Sequence, residues 1–122
     1  MKSIDALKRI RTMVLDIDGV LTDGRVGFCG PDLEEIKFFD VKDGHAIRML
    51  QRAGLRVGAL TGRCSRTNER RANELQLDFL YQNAKVKLDV FRRLLEEQEA
   101  RPEECLYIGD DVIDLPVMRR CG

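Results

Sequence analysis

A chain of 122 residues, 43% hydrophobic and 34% charged, has room for one soluble domain with a modest core and none for a second. Its 21 Lys and Arg balance 21 Asp and Glu, which excludes a global basic field that would draw nucleic acid and leaves a small molecule as the expected partner. No apolar run approaches the roughly 18 residues of a membrane span, and charges run through residues 1–11, so neither a spanning helix nor a signal peptide is expected and the chain is assigned to the cytoplasm. Cys29, Cys64, Cys105 and Cys121 lack C-x-x-C spacing, which argues against zinc and for a reducing compartment.

In chain order, Ile4, Leu7 and Ile10 recur at helical spacing and predict a short helix over 3–9. A strand over 11–16 comes next and runs into Asp16-Ile17-Asp18-Gly19. Side chains two apart in an extended chain point the same way, so Asp16 and Asp18 flank one ligand while Ile17 faces the core. Two carboxylates about 4 Å apart repel by roughly 4 kcal/mol at an effective dielectric near 20, so the pair calls for a cation or a shared proton. Residues 25–39, broken by Gly30-Pro31-Asp32, read as a hairpin. Asp43 is the expected cap of a helix carrying Ala46, Ile47, Leu50 and Ala53 on one face and ending at Gly54. A buried strand over 55–60 closes at Thr61-Gly62. After it come a polar helix over 65–75, a short strand over 79–81, an amphipathic helix over 85–100 stopped by Arg101-Pro102, and a last strand over 105–108. That strand delivers Gly109-Asp110-Asp111, and Asp114 opens a final short helix.

Alternating strands and helices predict an α/β fold: a Rossmann-like parallel sheet with helices on both faces, plus a projecting β-hairpin and no cap domain, across a single domain over 1–122. Ligands bind such sheets at the carboxyl ends of the strands, which is where Asp16, Asp18, Thr61, Gly62, Lys85, Lys87, Asp110 and Asp111 all fall. Singly, each has a plain structural explanation as a turn, a solvated helix residue or an N-cap. Jointly they predict a metal and phosphate site. Several carboxylates and a single histidine, His45, select a hard, oxygen-seeking ion, and Mg²⁺ fits better than zinc or a calcium cage. Thr61, backbone N–H groups near Gly62 and the Lys87 ammonium can serve the oxygens of a phosphoryl group.

Asp16-Ile17-Asp18-Gly19-Val20, Leu60-Thr61-Gly62-Arg63, Lys87 and Gly109-Asp110-Asp111-x-x-Asp114 resemble, in order and spacing, the four motifs of the haloacid dehalogenase-like phosphatases. Leu21-Thr22-Asp23-Gly24, Lys37-Phe38-Phe39, Lys42-Asp43-Gly44, Tyr81-Gln82 and the run from Asp110 to Met118 resemble more narrowly the 3-deoxy-D-manno-octulosonate 8-phosphate phosphatase branch. The resemblance implies that Asp16 is a nucleophile forming an aspartyl phosphate and that Asp18 is the acid for the leaving alkoxide and then the base for water. It further implies that Thr61 and Lys87 hold phosphoryl oxygens. Mg²⁺ would be held by Asp16, the Asp18 carbonyl and Asp110, with Asp111 and Asp114 ordering its surroundings. It implies a sugar phosphate substrate, a place in lipopolysaccharide biosynthesis, and a homotetramer assembled through the 25–39 hairpin. Gly62, Arg63 and Arg70 are the candidates for binding an acidic sugar, a solvated helix face being the alternative for Arg66 and Arg70.

The chain departs from the branch at Ala46 and at Gln82-Asn83, where glycines are usual, and the branch continues beyond the position of Gly122 by a further strand-helix unit or two ending in a glycine-rich tail. Two other function classes therefore stay open: a non-catalytic oligomerisation module like that fused to sialic-type sugar cytidylyltransferases, and a phospho-receiver domain. Turnover of a phosphate ester separates the first from an enzyme. The second places its acidic pair and phosphorylated Asp on the first and middle strands, whereas here the middle strand ends in Thr61.

Overall fold

The computed structural model describes residues 4–122, so Ser3, in the predicted first helix, lies outside the described residues. That helix, α1, spans Ile4–Leu7 and leads into β1, Thr12–Leu15. Parallel to β1 run β4 (Arg56–Leu60) on one side and β6 (Cys105–Ile108) on the other, and β5 (Leu80–Tyr81) completes the order β5-β4-β1-β6. The pairing of Leu15 with both Ala59 and Ile108 brings the ends of β1, β4 and β6 level to within a residue, so the loops leaving those strands meet at one edge.

Consecutive strand residues point to opposite faces, which gives two cores. Val14, Leu60, Cys105 and Tyr107 pack with Phe91 and Leu94 of α4 (Lys87–Glu97) and Val117 of α5 (Leu115–Met118). On the other face Leu15, Val57 and Ala59 pack with Ile47 of α2 (Val41–Arg52) and Leu75 of α3 (Arg66–Leu75). Helices on both faces of a parallel sheet are as predicted. β2 (Gly27–Cys29) and β3 (Glu34–Ile36) form a separate antiparallel hairpin, the only insertion between β1 and α2, and among the described residues nothing builds a cap.

Several boundaries differ from the predicted ones for local reasons. β1 stops at Leu15, and Asp18 sits in a turn whose Val20, Leu21 and Thr22 N–H groups all donate to the Ile17 carbonyl. The cap of α2 is Asp40, whose side chain accepts from the Lys42 N–H at 2.8 Å, and not Asp43, which lies in the first turn. α4 is shorter than expected at both ends: Lys85 is held in a turn by the Asn83 carbonyl, and Glu99 takes a left-handed conformation while the Ala100 N–H closes on the Leu95 carbonyl.

Candidate active site

At the carboxyl edge of the sheet a cleft of about 290 Å³ is lined by Asp16 and Asp18 after β1, Thr61, Gly62 and Arg63 after β4, Lys87 at the start of α4, and Asp110, Asp111 and Ile113 after β6, with Gly24 beside them. Ile17 is buried between the two aspartates, as the alternation predicted. The Asp16 N–H still bonds the Ile108 carbonyl at 2.9 Å, which ties the residue to the sheet after the strand has ended. Thr61 is fixed in the same way: its N–H donates to the Tyr81 carbonyl and its own carbonyl accepts from Ala84.

The centre of the cleft is a buried ion cluster. Lys87 Nζ lies 2.9 Å from Asp16 Oδ2 and 2.6 Å from Asp114 Oδ1, and all three side chains are almost without exposure. Asp16 Oδ1 accepts the Ile17 N–H at 2.7 Å. Asp114 Oδ1 also accepts the Tyr107 hydroxyl at 2.6 Å, and Asp114 Oδ2 takes the backbone N–H groups of Asp110 and Asp111 at 3.1 and 3.2 Å. Asp114 thus orders the loop that presents Asp110. Asp111 caps the one-turn helix Val112–Asp114 through the Val112 N–H.

These contacts set the charges. Burial pushes the Asp16 carboxyl above its ordinary range, and the hydrogen bond and charge of Lys87 oppose that only in part. Burial would also raise Asp114, but hydrogen bonds from Lys87, Tyr107 and the Asp111 backbone together hold it below the usual range. For Lys87 burial works against the charged form, yet its two carboxylates outweigh it and raise the ammonium. Tyr107 is raised by burial and by its bond to Asp114.

The donor set fits a hard divalent cation: oxygens of Asp16, Asp110 and Asp114 all lie within 4.8 Å of one another, and Asp16 is a buried carboxyl short of positive charge. Each Asp114 oxygen already takes two donors, whereas each Asp16 oxygen takes one, so Asp16 and Asp110 are the side chains with acceptor capacity left for an ion. Backbone approach here is close enough to demand glycine. A Cβ on Gly19, at φ +85, would lie 1.8 Å from Asp110 Oδ2, and one on Gly109 would lie 2.4 Å from the Asp114 carboxyl carbon. Because Asp114 is fully buried and cannot swing aside, Gly109→Ala is expected to cost about 1–3 kcal/mol, in line with overpacking elsewhere. Thermal denaturation checks this, and an unchanged melting temperature would show that the loop yields freely.

The remaining predicted residues divide. Arg63 borders the cleft but its guanidinium is engaged by Glu35, with Nε 3.0 Å from Oε1. Arg70 is not among the residues lining that cleft; exposed on α3 and paired with Glu74 at 3.3 Å, it lines a larger open groove of about 690 Å³ with Arg66, Glu69 and Glu34. The larger groove holds none of the cluster. Three side chains at the site went unread in the sequence: Tyr107, which looks like an ordinary core residue of a strand; Asn68, which looks like a polar helix residue; and Lys37. The Lys37 side chain is fully buried and places its ammonium 2.9 Å from Asp18 Oδ1. A lysine in a projecting hairpin carries no local sign of burial, and only its place in Lys37-Phe38-Phe39 hinted at a role.

A parallel α/β sheet with an Asp-x-Asp turn, a threonine, a lysine and an acidic loop at one edge defines a hydrolase class. A sequence profile of the haloacid dehalogenase-like hydrolases matches residues 32–122, and the chain belongs to that family. It is 41% identical over 119 residues to the 3-deoxy-D-manno-octulosonate 8-phosphate phosphatase KdsC of Yersinia pestis, covering 98% of this chain and 63% of that protein. To the KdsC of Escherichia coli (strain K12) it is 42% identical over 115 residues, covering 94% and 61%. The crystal structure of 3-deoxy-D-manno-octulosonate 8-phosphate phosphatase from Moraxella catarrhalis in complex with magnesium ion, phosphate ion and KDO matches with a TM-score of 0.90 at 33% identity, covering 97% of this chain and 67% of that one. The chain therefore spans about three fifths of the length of the curated relatives it matches.

Proposed function

We propose that the chain carries the catalytic centre of a Mg²⁺-dependent phosphatase acting on a sugar phosphate monoester, 3-deoxy-D-manno-octulosonate 8-phosphate being the substrate its relatives favour. The observation that carries this is the meeting of Asp16, Asp18, Thr61, Lys87 and Asp110 in one cleft. Asp16 attacks phosphorus through a carboxylate oxygen as the bond to the sugar oxygen breaks, and Asp18 gives that leaving oxygen its proton. Water then attacks the aspartyl phosphate, Asp18 takes its proton, and inorganic phosphate and the Asp16 carboxylate are restored. The Thr61 hydroxyl and Lys87 ammonium bind phosphoryl oxygens throughout. Asp16, Asp110 and the Asp18 carbonyl would hold Mg²⁺, with Asp111 and Asp114 ordering its surroundings; when bound, the ion supplies the charge that lets an anionic phosphoryl group approach a carboxylate. Gly62 and Arg63 border the place where the sugar would lie, and Arg70 would act only on a substrate long enough to reach its groove.

The hairpin supports assembly: Phe28, Leu33, Ile36 and Phe38 are all exposed, an apolar edge suited to a homotetramer of hairpins over 25–39. The free thiols of Cys29, Cys64 and Cys105 fit the cytoplasm.

Phosphate release from a panel of sugar phosphates, with and without Mg²⁺, tests the proposal. Turnover is expected only with the metal, and Mg²⁺ is expected to raise the melting temperature by preferential binding to the folded state. No hydrolysis of any ester by a chain that still assembles would favour the oligomerisation module instead. A receiver domain is disfavoured by Thr61 standing at the end of β4, where its phosphorylated aspartate would be.

A further inference from the structure

Lys37 is a lysine with no exposed side-chain surface, and its surroundings explain how the fold tolerates it. The ammonium lies 2.9 Å from Asp18 Oδ1 and 3.4 Å from Glu35 Oε2, and it donates to Asn68 Oδ1 at 2.9 Å. Asp18 Oδ1 and Glu35 Oε2 are both buried and have no hydrogen-bond partner among the described residues, so the ion pairs with Lys37 are what compensate them. Asn68, itself without exposure, is fixed in turn: its N–H donates to the Ser65 hydroxyl that caps α3, and Nδ2 donates to Gln82 Oε1. Glu35 is gripped by Arg63, and the Glu35 carbonyl accepts the Thr67 hydroxyl at 2.6 Å. The end of the hairpin, the start of α3 and the residue after β5 thus converge on one oxygen of Asp18.

Among the described residues, no other ion pair or hydrogen bond restrains the Asp18 side chain. It stands in a turn beyond the end of β1, and although Oδ1 is buried the side chain keeps 21% exposure and lines the cleft, which leaves Oδ2 as the carboxyl oxygen open to a ligand there. We propose, on the phosphatase reading, that Lys37 is a positioning residue that clamps Asp18 Oδ1 and so aims Oδ2 at the leaving oxygen of the ester. A buried lysine without partners is strongly disfavoured, and three acceptors arranged about one ammonium offset that cost. The hairpin thereby becomes part of the proton-transfer apparatus.

The test is an aryl phosphate series with Lys37→Met, a change of similar length without charge. A phenol of ordinary pKa, about 10, needs its proton as it leaves, while p-nitrophenolate does not. Because kcat/KM reports only the steps through phosphoryl transfer, a misaimed Asp18 is expected to lower it on the order of 10²-fold for phenyl phosphate, within the range of general acid catalysis, but only about threefold for p-nitrophenyl phosphate. An equal loss on both esters would show that Lys37 merely holds the hairpin, and would overturn the proposal. If Lys37→Met does not fold, Asn68→Leu, which keeps Lys37 but withdraws one of its anchors, is expected to give the same selective loss at smaller amplitude; an equal loss overturns the clamp there too. If the wild-type chain hydrolyses no ester, the phosphatase reading fails, and the clamp is judged by melting temperature alone, using Lys37→Met, Asp18→Asn and the double variant. A double loss well below the sum of the singles shows the coupling, and additive losses exclude it.

Discussion

Asp16→Asn is expected to abolish turnover while leaving the fold intact. An amide is a poor nucleophile, and loss of a group that forms the covalent intermediate removes on the order of 10⁴-fold or more of the rate. The substitution is nearly isosteric at a site with 5% exposure, so packing changes little, and Lys87 keeps its 2.6 Å contact with Asp114. Burial already disfavours the charged form of Asp16, so removing that charge is expected to leave the metal-free melting temperature unchanged or slightly higher. It is expected at the same time to shrink the stabilisation by Mg²⁺, since one carboxylate is lost. Phosphate release and thermal shift, each with and without the metal, read both effects. Activity near that of the parent chain would remove Asp16 from the centre of the mechanism.

How much of the fold and site was legible in the sequence depended on how local each signal is. The four places where an apolar run ends in Asp16, Thr61, the stretch before Lys87, or Asp110 are visible because parallel strands are buried on both faces and stop where polar chemistry starts. Their meeting in one cleft results from the level register of β1 with β4 and β6. Asp43 is the cap the sequence suggests for α2, and Asp40 takes that place in the structure because nothing local separates two capping residues a turn apart. The difference is made partly by Arg71, on another helix, which donates to the Asp40 carbonyl at 3.1 Å. Lys37 and Asn68 stand 31 residues apart and touch only because the hairpin folds against α3. Nothing in their own neighbourhoods distinguishes them from solvated residues. The role of Asp114 was half visible: its spacing from Asp110 marked it as part of the motif, but the bonds to Lys87 and Tyr107 depend on α4 and β6 arriving at the same point.

Lys87→Met is expected to damage both stability and activity, and the dependence on pH separates the causes. Lys87 is the cation shared by Asp16 and Asp114, and removing it leaves two buried carboxyls without their compensating charge. Breaking a buried pair in this way costs about 3–5 kcal/mol, which for a domain of this size lowers the melting temperature by on the order of 10 °C at neutral pH. In the parent chain Asp114 is depressed, so its contribution is fully present above the unfolded pKa of about 3.9 and is lost as pH falls through the lower folded value. In the variant burial acts on Asp114 with only Tyr107 and backbone donors left to oppose it, and Asp16 loses its main opposition. Carboxyls raised in the folded state give the opposite slope, because folding then favours the protonated form and stability falls as pH rises. The gap in melting temperature between parent and variant is therefore expected to be widest near pH 7 and to narrow towards pH 4. A gap independent of pH would mean that Lys87 acts by filling space beneath the cleft and not by its charge. Turnover is expected to be lost at every pH, since an uncharged side chain there can neither hold the phosphoryl oxygens nor offset the Asp16 carboxylate as the anion enters.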